Sequence, residues 1–395
     1  MNNYKLITRK KSIFIDDINQ CENILKKKIK KSKILILGAA GTIGSATLKE
    51  IYKREPAILH AVDISENNLV ELVRDIRSSL QREKGEFKTF VIDIGSKYFK
   101  KFYLANGPYD YVINLSAMKH VRSERDCYSL WRMIDINIIN NIKILNFLNL
   151  KKTKKYFCVS TDKATNPVNL MGATKLVMEF FLLKYSKKIK ISSARFANVA
   201  FSDGSLLYGF NKRFFKKQPI SCPNNIKRYF ITEQEAAHLC LLSIFIGKNR
   251  EIFFPKIKGK VKLYLLKDIA KSYLKNFGYK PKIFNSEDEA KKNIKKIVTK
   301  KEWPCFFFKS VTTGEKEYEE FYSKHDKPVK NNFKNISIIQ NNLLYSKKNL
   351  NSFLANIKFL KKNFFSNKKK IIHLFKNLIP GFGHEEKNKN LDQIM

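Results

Sequence analysis

Short apolar runs alternate with stretches of helical periodicity along the first half of the chain. Ile34-Leu35-Ile36-Leu37 is a run of four apolar residues closed by Gly38. A run that short, ending in a turn residue, predicts a buried strand rather than a helix. The same pattern predicts strands over Ile58 to Asp63, 88–92, 111–114, 156–160 and 190–196. Between them, apolar residues three and four apart predict helices over 42–53, 66–84, 128–150 and 172–187. Strands alternating with helices require crossover connections, so the expected class is α/β, with a doubly wound parallel sheet covered on both faces.

After about Ala200 the alternation weakens. Helices over 232–247 and 265–277 mix with short strands and loops, and Trp303-Pro304-Cys305-Phe306-Phe307-Phe308 reads as core. The expected organisation is a lead-in over 1–30, holding an amphipathic helix from Ile18 to Ile29, and a nucleotide-binding domain over 31–200. A smaller mixed α/β substrate-binding domain over 201–324 and a Lys/Asn-rich extension over 325–395 follow. The extension has apolar residues at helical spacing around 352–378. This fits a packed appendage, an element that pairs two copies, or a basic amphipathic helix touching a membrane surface.

Composition narrows the class. No apolar stretch approaches the roughly eighteen residues of a membrane-spanning helix, and Met1 to Arg9 lacks an apolar signal core. The expected compartment is the cytoplasm. The six cysteines form no C-x-x-C pair, so reduced thiols are expected, without disulfides or a metal site. The formal charge is +42, which raises the question of nucleic acid. The lysines are spread through the chain with an excess of Ile and Asn, and no aromatic-interleaved basic stripe appears. Compositional drift on exposed positions accounts for the charge, and no specific nucleic-acid partner is expected.

Gly38-Ala39-Ala40-Gly41-Thr42-Ile43-Gly44 is a G-x-x-G-x-x-G turn between a predicted strand and helix. Gly38 permits the tight turn, Gly41 permits close approach of a pyrophosphate, and Gly44 permits close helix packing. The helix start at Thr42 and Ile43 offers free N–H groups and a favourable dipole. Asp63 follows Gly44 by nineteen residues, at the end of the next strand, where a carboxylate can hold adenosine ribose hydroxyls and disfavour a 2′-phosphate. NAD is therefore expected over NADP, on a Rossmann-type sheet. Asp93 ends the third strand, within reach of an adenine edge.

The predicted strand 156–160 runs into Ser160-Thr161-Asp162-Lys163-Ala164, followed by Met171-Gly172-Ala173-Thr174-Lys175. Open α/β sheets place ligand chemistry at the carboxyl ends of strands. An adjacent acid and amine supply what an elimination needs: one group removes a proton from carbon while another protonates the departing hydroxyl. The segment Ser160 to Lys175 resembles the nucleotide-sugar 4,6-dehydratases of polysaccharide biosynthesis, which are extended short-chain dehydrogenases. Asn114-Leu115-Ser116-Ala117-Met118-Lys119-His120-Val121, Arg195-Phe196-Ala197-Asn198-Val199 and Lys227-Arg228-Tyr229-Phe230 extend the resemblance over roughly residues 20 to 320. It is nearest to the branch supplying legionaminic acid or bacillosamine-type sugars.

That resemblance implies 4,6-dehydration of UDP- or GDP-N-acetylglucosamine with NAD. The cofactor would take a hydride from sugar C4 and return it to C6. Lys163 would remove the C5 proton, Asp162 would protonate the leaving C6 hydroxyl, and Thr161 would lie beside them. Lys175 would hold the nicotinamide ribose. Ser116, Ala117 and Lys119 would touch the cofactor, and His120, Asn198 and Arg228 the substrate. To work as a base, Lys163 would need partial burial or nearby positive charge. Most short-chain dehydrogenases place a tyrosine base four residues before the lysine, whereas this chain has Met171, whose thioether cannot accept a proton.

Alternatives remain. A 4-epimerase or reductase of the same fold would favour tyrosine at 171, and a non-catalytic NAD-binding protein would account for Met171 alone. Asn137 reads as a backbone or water contact on its helix, or as a solvated position, and His238 as a core histidine. Helices 128–150 and 172–187 could pair across a two-fold axis, so a homo-oligomer is expected.

Overall fold

The fold was derived from a computed structural model, which describes residues 11–80, 85–148, 152–257, 261–310, 314–324, 326–342, 346–363 and 367–384. The readings on Met1 to Arg9, on 81–84, on 149–150 and on the end of the tail lie outside them.

The apolar runs become β1 (Lys33–Leu37), β2 (Ile58–Asp63), β3 (Glu86–Val91), β4 (Tyr111–Asn114), β5 (Lys155–Thr161) and β6 (Ile191–Phe196). With β10 (Glu251–Pro255) and β14 (Ile336–Gln340) they form one sheet in the order β14-β10-β6-β5-β4-β1-β2-β3. Every pairing is parallel except β10 with β14. Alternate side chains of one strand feed opposite layers. Ile34 and Ile36 enter the core beneath α1 (Ile15–Lys30) and α2 (Thr42–Tyr52). Leu35 and Leu37 enter the opposite core with Val112, Tyr156 and Cys158. The chain is apolar in both phases because both faces are covered.

Other helices follow the predicted pattern, with π turns over Asp135–Ile139 and Leu242–Ile246. The crossover before β5 begins as α5 (Cys127–Ile134), widens into a π turn over Asp135–Ile139, and resumes as α6 (Asn140–Phe147). After β5, α7 (Leu170–Tyr185) is buried along nearly its whole length, since it lies between the sheet and a further helical layer.

That layer is the C-terminal hairpin α12 (Lys347–Lys362) and α13 (Lys368–Leu378). Leu350, Phe353, Ile357, Ile371, Phe375 and Leu378 share a core with Leu170, Met171 and Val177 of α7. Among the described residues the extension is thus a packed layer, and β14 makes it part of the central sheet. The division at 200 is also less clean than composition suggested. α9 (Glu233–Leu241) packs on α2, and β10 joins the sheet beside β6. The smaller region keeps a three-stranded parallel sheet of β12 (Lys280–Phe284), β13 (Glu302–Phe308) and β8 (Ile220–Pro223), with Trp303 and Cys305 in its core.

The lead-in is equally integrated. Asp17 of α1 is fully buried and accepts hydrogen bonds from the backbone N–H groups of Lys334 (2.6 Å) and Asn335 (3.2 Å). His238 on α9 lies in the core, its Nδ1 3.0 Å from Ser12 Oγ. All six cysteines are free thiols. Among the described residues no helix is long and apolar enough to cross a membrane, and no group of three or more His, Cys, Asp or Glu could hold a metal ion.

Candidate active site

A cavity of about 1540 Å³ opens at the carboxyl ends of β1, β4 and β5. One end is walled by Gly38, Gly41, Thr42, Ile43 and Gly44. Gly38 has φ +71°, and a Cβ there would stand 2.7 Å from the Ser116 backbone nitrogen. Both the turn and the loop after β4 therefore demand glycine. At Gly41 a Cβ would meet only the Gly38 carbonyl, at 3.7 Å; the rest of that face is open at the start of α2, which suits a pyrophosphate. Asp63 closes the turn from β2: its Oδ2 accepts from Ala40 N–H at 2.9 Å and its Oδ1 from Ser65 N–H at 3.0 Å.

The opposite end is built on the turn after β5. Thr161 caps a 3-10 turn over Asp162–Ala164. Its hydroxyl donates to Asp162 Oδ1 at 2.8 Å, and the Lys163 ammonium approaches the same oxygen at 3.1 Å. Asp162 is 1% exposed, so this oxygen finds its partners within the protein. α7 presses on the turn from above: a Cβ on Gly172 would lie 2.2 Å from the Lys163 carbonyl. Farther along the same helix, the buried Glu179 carboxylate takes both a bidentate pair from Arg195, at 3.0 and 2.7 Å, and the Ser160 hydroxyl at 2.6 Å. Arg195 also donates to Thr165 Oγ1 and to the Phe321 carbonyl. This buried, fully hydrogen-bonded pair fixes the floor of the site.

Met171 and Lys175 look into the same cavity from α7. Met171 is buried, and its backbone N–H donates to Glu124 Oε1 at 2.7 Å. Lys175 is buried too, donating to the Val159 carbonyl at 3.1 Å, and burial lowers its proton affinity. Asn137, on the π turn, uses its amide fully. It accepts from Met118 N–H and donates to the Met118 carbonyl and Thr174 Oγ1. The wider turn aims this side chain at the loop after β4, so Asn137 holds the cavity wall by backbone contact.

Lys119 and His120 occupy that wall with Ala117. Both side chains are exposed to the cavity, and desolvation by its walls holds both below their usual values. Asn198, from the short strand β7 (Asn198–Val199), and Arg228, from β9 (Lys227–Ile231), also line the cavity. Arg228 Nη1 is committed to the carbonyls of Lys227, Lys316 and Glu317. Ser116 abuts Gly38 behind the wall. Asp93 lies outside the wall. Its Oδ1 accepts from Gly95 N–H, and its Oδ2 pairs with Arg132 at 3.0 Å.

One group had no place in the sequence reading. Glu315, Lys316 and Glu319 follow β13, and the two glutamates line the cavity opposite Lys163. Lys316 Nζ donates to the Thr165 carbonyl at 2.9 Å, tying this segment to the turn after β5. The available signal was the run Gly314-Glu315-Lys316-Glu317-Tyr318-Glu319-Glu320 just past an apolar run ending at Phe308. Such a position is where a strand delivers ligand-facing groups. Around the cavity nine cations, Lys119, Arg122, Arg125, Lys163, Lys175, Arg213, Arg228, Lys368 and Lys369, face five acids, Glu124, Asp162, Asp203, Glu315 and Glu319. That balance favours an anionic ligand.

A parallel sheet carrying β3-β2-β1-β4-β5-β6 in spatial sequence, with a glycine turn after β1 and a buried lysine on the helix after β5, defines an extended short-chain dehydrogenase/reductase fold. The chain belongs to the polysaccharide biosynthesis protein family, whose pattern matches residues 34–341. An uncharacterized membrane protein of Methanocaldococcus jannaschii is 30% identical over 64% of this chain and 74% of its own length. A Campylobacter jejuni UDP-N-acetylglucosamine 4,6-dehydratase (inverting) is also 30% identical, over 57% of this chain and 66% of its own. The chain spans about half the length, 49% and 51%, of two further relatives described as polysaccharide biosynthesis proteins. Among solved structures, Pen from Bacillus thuringiensis superposes with a TM-score of 0.65 at 22% identity, covering 84% of this chain and 98% of that one. A Streptomyces venezuelae dTDP-glucose 4,6-dehydratase solved with NAD superposes at 0.56 and 14% identity, covering 73% and 87%.

Proposed function

We propose that this chain is an NAD-dependent 4,6-dehydratase acting on UDP- or GDP-N-acetylglucosamine and yielding the 4-keto-6-deoxy sugar. The observation that carries the reading is the single cavity that joins the Gly38–Gly44 turn to the Thr161–Asp162–Lys163 group, with buried Met171 where the fold commonly puts a tyrosine base. Similarity to the Campylobacter dehydratases and to the NAD-bound neighbour supports it.

The residues present suit the dinucleotide: the open Gly41 face for its pyrophosphate, Asp63 for its adenosine ribose, and Lys175 for its second ribose. When bound, NAD supplies the chemistry of accepting a hydride from C4 and returning it to C6. Lys163 takes the proton from C5, which a C4 ketone makes acidic. Asp162 gives a proton to the C6 hydroxyl, so that it leaves as water. Thr161 holds Asp162 through its 2.8 Å hydrogen bond. The Arg195–Glu179 pair keeps the turn from shifting as charge moves. Surplus positive charge around the cavity draws the sugar nucleotide in.

The test is NMR of purified protein with either sugar nucleotide and catalytic NAD, beside Lys163→Ala. The expected product shows a 6-methyl doublet and a hydrated C4 ketone, both absent with the variant. A C4-epimerised sugar would replace this reading by an epimerase.

A further inference from the structure

Glu319 has no part in the reaction set out above, yet it stands against the base. Its Oε1 lies 3.9 Å from Lys163 Nζ and 4.0 Å from Arg228 Nη2, and its Oε2 lies 3.8 Å from Lys316 Nζ. The residue is 4% exposed, and Oε2 has no hydrogen-bond partner. These separations are those of ion pairs. A carboxylate placed only to stabilise the fold would be expected to have its oxygens satisfied by donors, since an unsatisfied buried charge is costly. Burial accordingly raises its proton affinity against the pull of its three cationic neighbours. The gain that offsets this cost is to be sought in the cavity.

We propose that Glu319 is a positioning residue for Lys163: with Asp162 it brackets the lysine nitrogen between two acidic side chains from separate parts of the chain. The inference rests on the dehydratase reading, in which Lys163 is the C5 base. In that step the C5–H bond breaks and its proton passes to the Lys163 amine. The released electron pair forms the C5–C6 double bond as the C6–O bond breaks, and the oxygen leaves as water with a proton from Asp162. Positive charge thus develops on Lys163 during the step. In that step Asp162 is engaged in delivering the proton to the leaving oxygen. Glu319 is the second acid beside the nitrogen, and it gives up nothing. It faces the lysine from the segment after β13, fixes where the nitrogen stands, and matches the developing ammonium where there is little water to do so.

Glu319→Gln and Glu319→Asp in the full chain test this, with substrate deuterated at C5. Loss of the carboxylate is expected to lower kcat by roughly 10- to 100-fold, less than the about 10²- to 10⁴-fold of a group that itself transfers the proton, while KM changes by less than about threefold. The deuterium isotope effect on kcat is expected to rise, because proton removal from C5 becomes the slow step. Aspartate, which keeps the charge but reaches less far, is expected to recover part of the rate. A Gln variant with kcat within about twofold of the unmodified enzyme, or one slowed with no rise in the isotope effect, overturns the proposal. If thermal melting shows that Gln does not fold, Asp decides: a raised isotope effect supports the role, and an unchanged one overturns it. Failure of the dehydratase reading appears separately, as absence of 4-keto-6-deoxy product from the unmodified enzyme before any variant is made.

Discussion

The Lys175 ammonium lies 3.1 Å from the main-chain carbonyl of Val159, two residues before the Thr161–Asp162–Lys163 turn. This hydrogen bond ties the helix that lines the cavity to the strand that leads into that turn. Burial lowers the proton affinity of this lysine, which also approaches Met178 Sδ at 3.9 Å and lines the cavity. Lys175→Met keeps the aliphatic stem and removes the donors. Turnover is expected to fall by roughly 10²-fold or more, and NAD to bind more weakly by about 1–2 kcal/mol, the scale of one or two hydrogen bonds. Calorimetric titration with NAD, beside the NMR assay, checks both.

Met171 is 2% exposed and packed among residues of the C-terminal hairpin. If the Thr161–Asp162–Lys163 group handles the protons, the thioether contributes only shape. Met171→Leu is then expected to retain kcat within about threefold, since volume-conserving core changes are tolerated best. Met171→Tyr restores the sequence pattern of the wider superfamily but puts a larger ring where the hairpin core packs on one side and the cavity opens on the other. It is expected to cost roughly 1–3 kcal/mol in denaturant unfolding and to bring no gain in rate. A faster tyrosine variant would show that the proton path here is incomplete.

The α/β sheet and the glycine turn were legible because each depends on local pattern: apolar runs of strand length, and glycines where the backbone has no room for a Cβ. What escaped depends on partners distant in sequence. β14 lies in a Lys/Asn-rich stretch, and only its pairing with β10 reveals Ile336, Ile338 and Ile339 as core. Asp93 pairs with Arg132 of α5, 39 positions later, a contact that no local pattern announces. Glu319 stands 156 positions after Lys163, and no spacing rule joins them. The π turn that aims Asn137 has no signature in an otherwise regular helical pattern.

Asp63 spends one carboxylate oxygen on Ala40 N–H and the other on Ser65 N–H. It shapes the glycine turn and sets its charge beside the expected ribose. Asp63→Ser is expected to weaken NAD by roughly 10- to 100-fold, about 1.4–2.8 kcal/mol, and to narrow the gap between NAD and NADP because the charge opposing a 2′-phosphate is gone. Titration with both dinucleotides checks this. Undiminished preference for NAD would move the discriminating contact elsewhere.

His238 predicts a pH dependence of stability. It is 2% exposed beneath α2, and burial pulls its pKa from 6.5 down to about 4 despite the Glu50 carboxylate 4.0 Å away. Between those values the unfolded chain binds a proton that the folded chain does not, so stability rises with pH across that window. The contribution is complete above about pH 6.5 and is lost as the pH falls toward 4. At pH 5 the deficit relative to neutral pH is about 2 kcal/mol. Denaturant unfolding of His238→Gln, which cannot take up that proton, is expected to lose about that much less between pH 7 and 5. Equal losses in both proteins would place the acid sensitivity in other groups.

The C-terminal hairpin lies beyond residue 341, where the family match ends, yet it adjoins the site. Phe375 is fully buried and meets Phe353 edge to face, with ring centroids 5.1 Å apart, in the core that includes Met171 and Leu170. Lys368, Lys369 and Ile372 of the same hairpin reach the cavity wall. A dispensable appendage would lose its own order on mutation and leave the enzyme alone. A layer packed on α7 cannot, because a cavity opened there removes support from the helix carrying Met171 and Lys175. Phe375→Ala is therefore expected to destabilise the whole chain by roughly 3–5 kcal/mol in denaturant unfolding. At temperatures where it remains folded, it is expected to raise KM for the sugar nucleotide as well. Limited proteolysis separates the two pictures. Release of residues after 346 with unchanged turnover would mark the hairpin as dispensable, whereas loss of turnover in step with cleavage would make it a wall of the active site.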